Sequence, residues 1–300
     1  MNLRIKLWLG RLMRVALVGL FLFLFVVIPV GGSLLITNMR FPPVRSPDLP
    51  TALPVEEIEF VSSDGIRLNG WWSAQKTAPR GAIIFVHGLN RSRLEMLERA
   101  EAAYQLGFSI LLFDLRNHGA SADAYTTLGV RESHDACAAA GFVRSAQPDL
   151  PVVFWGVSLG ASTALLGANC ADATAVISDS SFLSFEETVK HHFRRLFRLP
   201  SFPIADLLIL ITRLRMDFDL EDGDVEAAVA AMPDVPVLFV AGGQDWRMPP
   251  DLARQLRAAS AEPRSRMLVI EDASHGRAYM QDPDRYMISV MSFLDDVLPE

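Results

Sequence analysis

Hydrophobic and polar positions along the chain follow three rhythms. Residues 15–36, VALVGLFLFLFVVIPVGGSLLI, run for 22 positions without a charge. At 1.5 Å per residue a helix of that length reaches roughly 30 Å, the hydrocarbon thickness of a bilayer. Residues 55–62 and 66–73 alternate apolar and polar around Asp64-Gly65, a dipeptide suited to a tight turn, and predict an antiparallel hairpin. The pattern then changes to unbroken apolar runs at 81–86, 108–113, 152–155, 173–177, 235–240 and 267–270. A strand without polar alternation is buried on both faces, as in a parallel sheet covered by helices. Between the runs, helical periodicity appears at 91–105, 131–145, 159–168, 251–259 and 283–298. Strand and helix alternating in this way predict an α/β fold: about eight mostly parallel strands flanked by helices.

One interval breaks the rhythm. Over about 182–232, Phe185, Val189, Phe193, Leu196 and Phe197 recur at helical spacing, with Lys190, His191, Arg194, Arg195 and Arg198 covering the other side. An apolar stretch, 204–211, follows after a proline-bounded turn, too short to be a second span. This insertion reads as a small helical lid; the plainer reading is a helix pair with a solvated basic face. Five prolines between Arg40 and Pro54 predict an extended tether. The organisation expected is therefore a basic segment and anchor at 1–39 (span about 15–36), a tether at 40–54, and an α/β domain at 55–300.

Charge sharpens the reading of the N-terminus. Arg4, Lys6, Arg11, Arg14 and Arg40 stand in the first 40 residues with no acidic residue, so the formal net charge of −7 divides into +5 there and −12 in the rest. A domain this acidic has no nucleic-acid footprint, and no nucleic-acid partner is expected. Four cations before the apolar run and one behind it predict a single-pass cell-membrane protein. Its N-terminus is expected in the cytoplasm and the domain after the tether outside it, on the periplasmic side in a Gram-negative cell. A cleaved signal peptide is the competing reading, but no small-x-small site stands near Val30. Cys137 and Cys170 do not form a metal spacing; their helical contexts read as buried free thiols, with a bridge as the alternative. Oligomeric state has no signal.

The chemistry centres on Gly156-Val157-Ser158-Leu159-Gly160, between a strand run and a helical one. A strand that turns this sharply into a helix needs small residues flanking the turn, and Ser158 is left at its apex as a nucleophile. A serine also needs a base, an acid to orient it, and donors for the oxyanion. Of six histidines, His275 alone lies late in the chain and just past a predicted strand. For the acid, Asp245 follows the 235–240 run; Asp179 is its rival, and Asp272 is too near His275 in sequence. The oxyanion donors expected are the backbone N–H groups of Leu159 and Leu89, with Gly88 allowing close approach. His87 and His118 read as structural.

The order of His87-Gly88, Gly156-x-Ser158-x-Gly160, Asp245 and His275 resembles the α/β-hydrolase superfamily over about residues 55–298. Asp114-x-Arg116-x-His118-Gly119 with Ser121 is similar to that superfamily's D-x-R-G-x-G-x-S loop, although Asn117 replaces the first glycine. The branch it looks like is the membrane-anchored bacterial group of serine-aminopeptidase-like or lysophospholipase-like enzymes. That resemblance implies a serine hydrolase acting on carboxylic esters, lipid esters and thioesters included, through an acyl-enzyme and with neither metal nor organic cofactor. Alternatives are a peptidase or amidase, acyl transfer to another acceptor, and a non-catalytic membrane-tethered binding module. The partners expected are a small-molecule or lipid acyl substrate and, through the N-terminal helix, the membrane.

Overall fold

The computed structural model of the chain describes residues 3–38, 53–232 and 234–298. Most of the tether expected at 40–54 lies outside the described residues. In chain order, α1 (Leu3–Leu22), a π turn (Phe23–Val27) and α2 (Ile28–Asn38) form one unbroken helix. Then come β1 (Glu56–Val61), β2 (Arg67–Ser73), β3 (Ala82–Val86), α3 (Leu97–Gln105), β4 (Ser109–Phe113), α4 (Glu132–Ala146), β5 (Val152–Val157), α5 (Leu159–Gly167) and β6 (Ala175–Asp179). The remainder is α6 (Phe185–Phe197), α7 (Ile204–Met216), α8 (Val225–Ala230), β7 (Val237–Gly242), α9 (Pro250–Ala259), β8 (Arg266–Ile270), α10 (Ala278–Gln281) and α11 (Pro283–Val297). These elements group into two compact units, Met1–Met39 with Glu186–Asp219, and Arg40–Phe185 with Leu220–Glu300.

The larger unit is built on one eight-stranded sheet in the order β1-β2-β4-β3-β5-β6-β7-β8. β1 and β2 pair antiparallel around the turn expected at Asp64-Gly65, where Gly65 has φ +85, and β2 pairs antiparallel with β4. From β4 onward every pair is parallel. The sheet is thus mostly parallel and flanked by helices, as the unbroken runs require. Alternate strand residues, among them Ile83, Phe85, Val153, Trp155, Ile177 and Val240, join one core with α3 and α11, where Tyr286, Val290, Phe293 and Leu294 are fully buried. The positions between them face the other layer, where α4 and α5 pack on the strands. Trp155 links the two parts of the first core: it stacks on Phe85, and its indole N–H donates to the Tyr286 hydroxyl at 3.1 Å.

The cysteines correct the sequence reading. Cys137 on α4 and Cys170, in the loop after α5, are joined as a disulfide with Cα atoms 5.8 Å apart, and Cys170 is exposed. Helical context suggested buried thiols, but α4 and α5 pack side by side, a tertiary adjacency that separation along the chain does not reveal.

The smaller unit contains the N-terminal helix, most of α6, and α7. α7 lies along α2: the Leu208 side chain fills the space over Gly32, where a Cβ would come within 2.6 Å of its Cδ1. Arg215 Nη1 donates to Ser33 Oγ at 2.7 Å and Thr37 Oγ1 at 3.3 Å. Lys190 on α6 pairs with Asp206 on α7 at 3.0 Å and with Glu186 on its own helix. The insertion expected at 182–232 is accordingly divided, α6 and α7 grouping with the N-terminal helix and α8 with the sheet.

Candidate active site

β5 ends in a turn that only small neighbours permit. Ser158 sits between β5 and α5 with φ +55 and ψ −116, a conformation that costs a non-glycine residue about 1–3 kcal/mol. A Cβ on Gly156 would lie 2.3 Å from the Gly160 carbonyl oxygen, and one on Gly160 would lie 2.1 Å from the Val86 oxygen. Both glycines are therefore demanded by backbone approach. The Ser158 N–H is fixed on the Asp179 carbonyl at 2.8 Å, and Leu159 opens α5 directly behind the hydroxyl.

Two further strand ends bring their loops to this turn. His275, in the loop between β8 and α10, places Nε2 2.8 Å from Ser158 Oγ. Its Nδ1 is 2.7 Å from Asp245 Oδ2, in the loop after β7. The Asp245 carboxylate is buried, and its second oxygen accepts the Arg247 and Met248 N–H groups, both at 2.9 Å, which fixes its orientation. In this geometry the imidazole donates to the carboxylate and accepts from the hydroxyl, the arrangement a general base needs. Asp179, the rival acid, has other partners. It accepts from Ser180 Oγ at 2.9 Å and from the Tyr286 hydroxyl at 3.2 Å, and complete burial pushes its carboxyl above the ordinary range. Asp272 is exposed.

The loop after β3 is held by three side chains. His87 Nδ1 donates to the Gly88 carbonyl at 2.8 Å and Nε2 accepts from Leu115 N–H at 3.1 Å, which fixes the neutral Nδ1–H tautomer. Burial, then the neighbouring His118, lowers its pKa from 6.5 to about 4. His118 makes the matching pair of bonds, donating from Nδ1 to the Arg116 carbonyl and accepting Asn90 N–H. Both histidines thus act as struts. Glu95 takes the Gly88 N–H at 2.7 Å, so along this loop the next backbone donor is Leu89. Gly88 itself lies against Ser158, its would-be Cβ 3.5 Å from that residue's Cβ.

The Asp114–Ser121 stretch is held by charge. Asp114 accepts from the Arg93 backbone and guanidinium, and burial, which pushes its carboxyl up, is outweighed by Arg93, which pulls it below the usual range. Arg116, itself buried, bridges Asp135 and Asp64. Asn117 has φ +62, in the left-handed region where asparagine is the best tolerated residue after glycine. The glycine that the resembling loop carries here is thus replaced by the side chain that best keeps the same backbone.

A cavity of about 450 Å³ opens beside His275, lined among others by Arg91, Glu95, Glu98, Arg99, His118 and Arg277. Arg99 is buried, with its guanidinium 4.7 Å over the Tyr279 ring and, among the described residues, no hydrogen-bond partner for Nε. Sequence reasoning missed Glu95, Arg99 and Ser180, whose hydroxyl also accepts the Gly276 N–H beside His275 at 3.2 Å. Glu95 and Arg99 lie on a helical segment that reads as ordinary amphipathic surface, and nothing local marks them. Among the described residues no group of three or more His, Cys, Asp or Glu is arranged to hold a metal ion.

A family model described as the alpha/beta hydrolase family matches residues 83–287. The chain belongs to the alpha/beta hydrolase family. Hydrolytic activity follows at that level. Among the relatives it is similar to, YqkD of Bacillus subtilis is 28% identical over 81% of this chain and 81% of that one. Lysophosphatidylserine lipase ABHD12 of Macaca fascicularis is 27% identical over 65% of this chain and 49% of that one. The Pyrococcus furiosus esterase Pf2001 superposes with a TM-score of 0.71 at 21% identity, covering 86% of this chain and 99% of that one; at that identity the likeness is one of fold. The elbow, the β3 loop and the three converging strand ends are where an alpha/beta hydrolase carries its chemistry.

Proposed function

We propose that this alpha/beta hydrolase is a serine hydrolase of carboxylic esters. The observation that carries the reading is His275 poised between Ser158 Oγ at 2.8 Å and Asp245 Oδ2 at 2.7 Å, with the serine held at a strained apex. His275 removes the hydroxyl proton as Ser158 attacks the acyl carbonyl. Asp245 stabilises the imidazolium without taking its proton. The N–H groups of Leu159 and Leu89 receive the oxyanion, since Glu95 already occupies that of Gly88. His275 then protonates the leaving alcohol, and water cleaves the acyl-enzyme by the same route in reverse. The strongly charged cavity beside His275 suits a substrate whose leaving group is polar or ionic rather than a plain hydrocarbon ester, and the name of the ABHD12 relative, a lysophosphatidylserine lipase, is in keeping with that.

A second reading, a peptidase or amidase, is favoured by one feature: Glu95 and Glu98 in that cavity could neutralise a substrate ammonium. A panel of p-nitrophenyl esters of rising chain length, with and without charged leaving groups, set against amino-acid arylamides separates the two. A fluorophosphonate probe should label the chain and fail to label Ser158→Ala; equal labelling overturns the assignment.

The location we propose is a single-pass anchor with the hydrolase unit outside the cytoplasm. Supporting it, the helix over Leu7–Asn38 is long and apolar enough to cross a bilayer and is largely exposed, with its basic residues confined to the N-terminal end. The Cys137–Cys170 disulfide is in keeping with an oxidising compartment. A signal sequence passes the same tests of length and composition, and the mass of the mature N-terminus decides between them. The α6–α7 insertion is kept as the proposed lid.

A further inference from the structure

The smaller unit presents a second apolar surface besides the anchor. Within the seven positions 196–202, at the turn between α6 and α7, Leu196 is 64% exposed, Phe197 54%, Leu199 53% and Phe202 77%. Among the described residues of the larger unit, exposed large apolar side chains such as Val61, Leu106, Trp246 and Ile288 are separated along the chain. A cluster of this kind, rimmed by Arg194, Arg195 and Arg198, has the composition of a membrane-interface element: aromatic and aliphatic groups for the acyl boundary, guanidinium groups for lipid phosphates.

The packing inside the unit says where the cluster lies along the anchor. Leu208 sits over Gly32, and seven residues later Arg215 reaches Ser33 and Thr37, so α7 and α2 run in the same direction. α7 also touches the Phe23–Val27 turn. The segment that precedes α7 is therefore carried toward the uncharged second half of α1, exposed over residues 15–22, and away from the polar end at Thr37 and Asn38. The helix over Leu7–Asn38 is about a dozen residues longer than the hydrocarbon requires. Polar pairs, Arg215 of α7 with Ser33 and Thr37 of α2 and Lys190 of α6 with Asp206 of α7, set those segments above the hydrocarbon. The hydrocarbon then ends near the Phe23–Val27 turn rather than at the residue 36 expected from sequence, with the 196–202 turn at its boundary.

We infer that the 196–202 turn inserts into the acyl boundary of an anionic bilayer beside the anchor, in the leaflet from which the anchor emerges, with Arg194 and Arg198 on the lipid phosphates. The inference rests on the anchor reading above. It gives the hydrolase two points of membrane attachment.

The test uses the full chain in nanodiscs of phosphatidylcholine with phosphatidylglycerol. The native cysteines are joined, so the unsubstituted chain is the labelling blank. Spin labels are placed singly by Phe202→Cys, Leu199→Cys, Leu20→Cys in the anchor and Ile288→Cys on α11, and relaxation by oxygen is compared with relaxation by a water-soluble nickel chelate. Hydrolysis of a soluble ester by each labelled chain confirms that it is folded. The labels at 199 and 202 are expected to favour oxygen as the label at 20 does, whereas the label at 288 favours the chelate. An apolar signal at 20 with chelate-accessible labels at 199 and 202 overturns the inference and leaves the anchor standing; chelate access at 20 as well overturns the anchor reading, and this inference with it. Spin–spin broadening at 202 that vanishes on dilution with unlabelled chain would assign the turn to a second copy of the chain, and also overturns it. Adding Arg194→Glu and Arg198→Glu is expected to return the label at 202 to chelate access; an unchanged signal removes the phosphate contacts from the proposal.

Discussion

Two aspartates near the serine have different partners, and substitution should separate them. Asp245→Asn leaves shape intact but loses the carboxylate that fixes the imidazole tautomer, so kcat should fall by about 10⁴ with little change in melting temperature. Asp179→Asn alters a carboxylate whose hydrogen bonds go to Ser180 and Tyr286, and its effect should appear in thermal stability with less than about a tenfold loss of kcat. Steady-state kinetics and melting curves on both variants check this, and the reverse pattern would make Asp179 the acid. His87 supplies a pH signature. Burial and His118 keep its pKa at about 4 in the fold against 6.5 ordinarily, so between those values the unfolded chain binds more protons. Its contribution is therefore complete above pH 6.5 and is lost as the pH falls toward 4. His87→Gln should flatten the fall of melting temperature across that window. The convergence of Ser158, Asp245 and His275 was legible because each sits at the end of an apolar run. Glu95, Arg99 and Ser180 were not legible, because their partners are backbone groups and rings brought near only by folding.

At the scale of elements, strands were read well and short helices poorly, for one physical reason. A strand buried on both faces leaves an unbroken apolar run, as β3, β4, β5, β6 and β7 do; β8, at the sheet edge, is only partly buried but still carries the apolar run 267–270. α8 and α10, of six and four residues, are too short to show a period, and the π turn at Phe23–Val27 leaves no mark in an evenly apolar stretch. The elbow is the element most sensitive to a single methyl group. Gly160→Ala puts a Cβ 2.1 Å from the Val86 oxygen, a backbone atom that cannot turn aside, so β3 and α5 must part. Loss of fluorophosphonate labelling is expected, with destabilisation of about 1–3 kcal/mol by calorimetry. Retained labelling at full stability would show that the turn tolerates a wider gap than its geometry implies.

For the whole molecule, the disulfide and the acidic hydrolase unit set how it should be handled. Cys137 and Cys170 close a loop across 33 positions, and in the chain-entropy account that contributes about 3–4 kcal/mol. Reduction should lower the melting temperature by roughly 5–15 °C. Material made in a reducing cytoplasm should melt like the reduced form, and coincident curves for oxidised and reduced chains would deny the bridge a stabilising role. The doubly flanked sheet was evident from sequence; the grouping of α6 and α7 with the N-terminal helix was not, since residues 32 and 208 become neighbours only in three dimensions. That pairing means the N-terminal helix is no interchangeable leash. If the proposed anchor holds, a foreign hydrophobic segment of equal length, grafted in its place, would still tether the chain yet strip Arg215 of both hydroxyls and Leu208 of its glycine, leaving α7 with a raw flank.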